Sequence, residues 1–145
     1  MNLIPGNRYL FDTTVYIDLL HQRQMGKNLH YQARHLRIFA AYSIITEVEL
    51  WSYIHGFWTE AQHVIILRPY RRYFLNVTIA RDGSRFYAQF KYVDNLQGKK
   101  LPGINDCLIA ATARFYDLRL VSKNTRHMNL FEQFGVKVDA YEDLE

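Results

Sequence analysis

Short apolar runs, too apolar along their length to leave one face wet, alternate along this chain with segments of helical periodicity. The runs are Arg8–Phe11, Tyr42–Ile45, His63–Leu67, Leu118–Ser122 and Val136–Ala140. Strands of that kind belong in a sheet covered on both faces, which means an α/β protein with a mostly parallel sheet. Between them, helices are expected over Thr13–Leu20, Leu29–Phe39, from Thr46 through His55, over Asp106–Tyr116 and over Thr125–Phe134. Thr13 or Thr14 would cap the first helix, and Gly26 and Asn28 would break the chain after it. The aromatic and basic stretch 68–97 is expected to hold one or two helices, followed by a loop from Gln97 to Gly103.

The chain has 145 residues, about one domain's worth, and no repeat or low-complexity stretch divides it, so 1–145 is expected to be one domain. The lone Cys107 excludes an intrachain disulfide and fits a reducing compartment. No basic start followed by an apolar run opens the chain, and no run is long enough to span a bilayer; the expectation is a cytoplasmic protein with no membrane association. Eighteen Lys and Arg against 14 Asp and Glu give a net charge of +4, which permits a polyanionic partner without establishing one.

In parallel sheets the site lies beyond the carboxyl ends of the strands. That rule singles out the positions after Phe11, before Glu49 and at Ser122. Asp12 follows the first strand, Glu49 lies one turn into the helix after the second, and Asp106 opens the helix that leads to the fourth. Carboxylates gathered in one place repel unless a cation neutralises them, and Mg2+ is the usual partner for oxygen ligands. Each acid also has a plainer reading. Glu49 stands three residues after Thr46, the spacing of a capping box; Asp12 could cap the helix it precedes; Asp106 could favour a helix N-terminus.

Other chemistries have weaker support. The six histidines form no HxxxH or HExxH pair, there is no Gly-rich phosphate loop, and Ser43 lacks a glycine-flanked elbow. Cys107 lies within an apolar helical pattern and reads as core. In Arg68-Pro69-Tyr70-Arg71-Arg72-Tyr73-Phe74, cations interleave with aromatics, a composition that suits single-stranded RNA but is more simply a solvated helical face with aromatic packing beneath. The aromatic run after Glu49, with Trp51, Ile54, Phe57 and Trp58, exceeds what one amphipathic face requires and suggests a homodimer or partner surface.

Four segments, taken in order, resemble the motifs of PIN domains, in the style of VapC-type toxins. Leu10-Phe11-Asp12-Thr13-Thr14 is similar to the opening DT motif, and Ser43-Ile44-Ile45-Thr46-Glu47-Val48-Glu49-Leu50 to the second. Asn105-Asp106-Cys107-Leu108-Ile109-Ala110-Ala111 resembles the third, an aspartate followed by a small-residue helix. Leu120-Val121-Ser122-Lys123-Asn124-Thr125-Arg126 resembles the fourth. Residues 57–97 match poorly. The resemblance implies a three-layer α/β/α fold with a mostly parallel sheet of about five strands. It implies a Mg2+- or Mn2+-dependent endoribonuclease, the toxin of a toxin–antitoxin pair, that hydrolyses RNA with metal-activated water. Asp12, Glu49 and Asp106 would be catalytic and metal ligands, with Thr13, Asn124 and His127 in support. The resemblance also implies an antitoxin partner; by charge and composition Arg68, Arg71, Arg72 and Arg126 are the candidate RNA contacts, and the aromatic run points to a second copy of the chain as a further partner.

The departure is at His127, where the family commonly has an acid. A cleft with three carboxylates in place of four should hold at most one well-occupied metal. The alternative is a PIN-fold RNA- or protein-binding module with weakened or absent cleavage. A third possibility is an unrelated doubly wound α/β protein whose acids are caps.

Overall fold

The computed structural model describes residues 1–52, 59–123 and 128–142. The elements are β1 (Arg8–Phe11), α1 (Thr13–Leu20), α2 (Gln24–His35), β2 (Phe39–Ser43), α3 (Ile44–Trp51), α4 (Glu60–Leu67) and β3 (Arg71–Tyr73). These are followed by α5 (Val77–Ala88), α6 (Ile104–Phe115), β4 (Arg119–Lys123) and β5 (Val138–Tyr141). One π-helical turn, Gln89–Val93, extends α5, and a 3-10 helix spans Met128–Phe134.

The sheet has five strands in the order β3-β2-β1-β4-β5, and every pairing is parallel. Alternation along the strands builds a core on each face. Tyr9, Phe11, Ala40, Tyr42 and Val121 point one way and pack with Val15 and Tyr16 of α1 and Leu29 of α2. Leu10, Ala41 and Leu120 point the other way and pack with Ile79 and Phe86 of α5, Ile109 and Ala110 of α6, and Phe131. This is the three-layer α/β/α arrangement expected of a PIN-like chain. Its apolar strands are explained by burial on both faces. The chain runs from β1 outward to β3 on one side and returns to β4 on the other, so the strand order reverses between β1 and β4, where α/β sheets place their crevice.

Several element boundaries differ from the sequence reading. His63–Leu67 is not a strand but part of α4. Only His63 and Leu67 of the helix are buried, an i, i+4 stripe, and Thr59 and Gln62 close a capping box at its start. The edge strand is Arg71–Tyr73, whose first two residues are exposed. The second helix begins at Gln24, not Leu29, and ends before Phe39, which lies in β2. Gly26 does not break the chain: it lies within α2, where an added Cβ would sit 2.5 Å from the Leu19 backbone nitrogen, so glycine lets α2 approach α1. β2 ends at Ser43, and Ser43, not Thr46, caps α3 by accepting from the Ile45 amide at 3.1 Å. The segment read as a helix from Thr125 is a 3-10 helix from Met128 in its described part, and β5 starts at Val138 rather than Val136. Among the described residues no helix is long and apolar enough to cross a membrane.

Candidate active site

Asp12 is the N-cap of α1, a role the sequence reading gave to Thr13 or Thr14 as well as to Asp12. Its Oδ1 accepts from the Thr14 amide at 2.5 Å and from the Thr14 hydroxyl at 2.6 Å. Its Oδ2 accepts from the Ser122 hydroxyl at 2.6 Å. The Thr14 hydroxyl in turn accepts from the Lys123 amide at 3.1 Å, and the Asp12 amide donates to the Val121 carbonyl at 2.9 Å. The end of β1 is thus stitched to the end of β4 across the reversal point. Asp12 is 3% exposed, and burial raises its carboxyl above the ordinary value; the bonds from Ser122 and Thr14 oppose that rise and Asp18 adds to it.

Glu49 does not cap α3. With Ser43 at the N-cap, Glu49 lies in the second turn, and its Oε1 accepts from the Thr13 hydroxyl at 2.7 Å. Thr13 and Thr46 hydroxyl oxygens lie 3.0 Å apart. A hydroxyl has one proton, and Thr13 gives its own to Glu49, so Thr46 is the donor to Thr13. A chain of hydroxyls therefore ties α3 to the start of α1. Thr13 supports Glu49, and the bonds to Asp12 from this turn are made by Thr14. Burial raises the Glu49 carboxyl, Thr13 opposes it, and the charges of Asp106 and Asp12 raise it further.

Asp106 lies in the first turn of α6, behind Gly103 at the N-cap, and the Gly103 amide hydrogen-bonds its carboxyl. The plain helix-start reading of Asp106 therefore holds as a local fact. It does not exhaust the residue: burial first, then the Asp12 charge, push its pKa up to about 6. Each of the three acids is held up by burial, Asp12 and Asp106 raise Glu49, and Asp12 raises Asp106. α3 packs on both α1 and α6, which brings the three carboxyls within electrostatic reach of one another near the carboxyl edge of the sheet.

Among the described residues, no group of three or more His, Cys, Asp or Glu side chains is placed to hold a metal ion. Mg2+ would have to be held here by one or two carboxylates directly, with waters completing its shell. Hard oxygen donors without imidazole or thiolate also match Mg2+ or Mn2+ rather than zinc. Cys107 is buried, and burial with the neighbouring Asp106 pushes its thiol up to about 12, the environment of a core thiol rather than of an activated nucleophile.

Asn124, Arg126 and His127 lie outside the described residues, as do Ile54, Phe57 and Trp58 of the aromatic run; Trp51 is partly exposed. The remaining arginines do not form one face. Arg68 and Arg72 flank a cavity of about 280 Å³ between α3 and α4, where the Arg72 Nε is 2.5 Å from Glu47 and 3.2 Å from the Tyr42 hydroxyl. Arg71 lines a different cavity with Arg34. The sequence reading missed Asp18. It is buried, takes the Tyr141 hydroxyl at 2.8 Å, and lies near Arg23 and Lys123. Its partners Lys123 and Tyr141 are more than a hundred residues away, so no local pattern marks it.

No family model and no curated protein matches the chain. Solved structures do. A chain of a toxin–antitoxin complex from Klebsiella pneumoniae is 25% identical, with TM-score 0.62 over 82% of this chain and 88% of that one. A chain of VapBC2 from Rickettsia felis, bound to a DNA fragment from their promoter, superposes with TM-score 0.72 at 16% identity, over 92% of this chain and 98% of that one. A chain of DNA-bound VapBC from Salmonella typhimurium gives TM-score 0.68 at 16% identity, over 92% and 98%. The resemblance carried by the four motifs thus holds at the level of the whole fold: the chain has the PIN-like α/β/α architecture, shared with chains of VapBC toxin–antitoxin complexes.

Proposed function

We propose that this chain is a divalent-metal-dependent endoribonuclease and the toxin of a toxin–antitoxin pair. The observation that carries the reading is the gathering of Asp12, Glu49 and Asp106 from three separate elements, where Asp106 and Asp12 add to the rise at Glu49 and Asp12 adds to the rise at Asp106. Such an arrangement costs free energy in the bare protein and is relieved by a bound cation. The likeness to VapBC complexes, taken together with the motif order, supports the toxin role and an antitoxin partner.

Asp12, Glu49 and Asp106 would hold Mg2+ or Mn2+. When bound, such an ion acidifies water and neutralises charge developing on a phosphodiester. The chain's own residues set the geometry. Thr14 and Ser122 occupy one lone pair or more on each Asp12 oxygen and fix the carboxylate plane. Thr13 holds one Glu49 oxygen and leaves the other directed by the side chain alone. The Gly103 amide steadies Asp106. Asp106, pushed up to about 6 by burial and by the Asp12 charge, is placed to take or give a proton near neutral pH.

The test is cleavage of a mixed-sequence RNA by the purified chain with Mg2+ or Mn2+, with chelator, and with added antitoxin. Cutting that needs the cation and stops with the antitoxin is the expected result. RNA retained but never cut would favour the binding-module alternative.

A further inference from the structure

The acids crowd the carboxyl edge of the sheet, and cations crowd the opposite edge. Arg8 opens β1, Arg71 opens β3 and Arg119 opens β4, while Arg37 and Lys137 just precede β2 and β5. On the β4–β5 side these charges are compensated: Arg119 makes a two-pronged pair with Asp139 at 2.7 and 2.8 Å, and Lys137 lies 3.6 Å from Asp117. On the β1–β2–β3 side they are not. Among the described residues no acid lies within ion-pair distance of Arg8, Arg34, Arg37 or Arg71. Two of these guanidiniums lie over rings instead, Arg8 over Phe39 at 4.7 Å and Arg71 over Tyr73 at 5.6 Å. Beside them a cavity of about 310 Å³ lies between the end of α2 and the starts of β2 and β3, walled by Phe39, Tyr70 and Pro69, with Arg34 and Arg71 in its lining.

A cleft of three acids repels a polyanion until it holds a metal, so affinity for a long phosphodiester must come from elsewhere on the molecule. The uncompensated arginines are that source. Guanidinium forks match phosphate oxygens in pairs, and Arg34 and Arg71 are both exposed. Asp12 lies four residues along β1 from Arg8, about 13 Å by strand rise, within reach of a few nucleotides.

We propose that the Arg34–Arg71 cavity at the amino-terminal edge of the sheet binds phosphates of single-stranded RNA away from the acid cleft; this deepens the ribonuclease reading and rests on it for the identity of the polyanion. The test measures affinity of the full chain for a 20-nucleotide RNA in chelator, where no cutting occurs, as a function of salt. Wild type is compared with an Arg34→Gln/Arg71→Gln double variant whose melting temperature and Mn2+ affinity verify the fold and the cleft. Removing two phosphate contacts should reduce the salt slope by about 1.4 and weaken binding about 10-fold at moderate salt. An unchanged slope overturns the proposal, as does absence of RNA binding by wild type at low salt. Displacement of the RNA by polyglutamate at equal charge concentration also overturns it and reassigns the cavity to an acidic peptide. A reduced slope in a chain that cuts no RNA with Mn2+ leaves the phosphate site standing and removes the ribonuclease reading instead.

Discussion

Ser122 and Asp12 lie 110 residues apart in sequence, and the Ser122 hydroxyl donates to Asp12 Oδ2 at 2.6 Å. The bond joins the ends of the two strands between which the sheet reverses direction. It makes the placement of the first acid depend on correct pairing of β1 with β4.

Ser122→Ala removes that donor and leaves a buried carboxylate oxygen with one partner fewer. Stability should fall by about 1–3 kcal/mol. The Asp12 carboxyl, already raised by burial, should rise further, because the bond from Ser122 is the largest effect opposing that rise. Chemical denaturation and NMR titration of the Asp12 carboxyl carbon check the two parts separately.

Thr13→Val keeps the shape and removes the proton given to Glu49. The expected outcome is a cleavage rate lower by about 10-fold, with the acid limb of its pH profile moved to higher pH, since Thr13 is what opposes the rise at Glu49. Restoration by Thr13→Ser would tie the effect to the hydroxyl. A pH profile that stays in place would show that Thr13 acts on packing alone.

The pH dependence of stability follows from the sign of the shifts. Asp106 titrates near 6 when folded and near 3.8 when unfolded. Between those values the folded state binds more protons, so this group's contribution to stability is present below about pH 4 and is lost as pH rises to 6. In chelator, the melting temperature of wild type relative to Asp106→Asn should fall across that window. Added Mn2+ should reverse the trend at pH 7, where the carboxylates are charged and can hold it. Thermal melts of both forms from pH 4 to 7.5 are the check.

Gly26→Ala should be strongly destabilising, because its Cβ would meet the backbone of Leu19 and Asp18 rather than a flexible side chain. A loss of about 2 kcal/mol or more is expected by chemical denaturation, and a neutral change would mean that α1 and α2 can separate freely.

The sheet and its parallel pairing are legible because they leave local marks, two-faced apolar runs and motif order, and Asp12 shows its helix-capping position by following the first run directly. What was not legible depended on partners far along the chain. The run His63–Leu67 fits strand or helix by hydropathy alone, and the Thr59–Gln62 box that decides the matter lies just before it. Arg71–Tyr73 is a poor strand by composition and pairs only because Ala41–Ser43 offers an open edge. The spacing of Thr46 and Glu49 imitates a capping box, but Ser43 takes the cap and frees Glu49 for the cleft. Asp18 gave no signal at all, since Lys123 and Tyr141 reach it only after the sheet has closed.

The central claim is that Asp12, Glu49 and Asp106 jointly hold a divalent cation, and calorimetric titration of Mn2+ into wild type and Asp106→Asn at pH 7 tests it most directly. The expected result is a saturable site in wild type that weakens at least 10-fold in Asp106→Asn, with both proteins folded by circular dichroism. Equal affinity in the two forms, or no binding to wild type, would contradict the account and leave Asp12 and Asp106 with their helix-start roles alone.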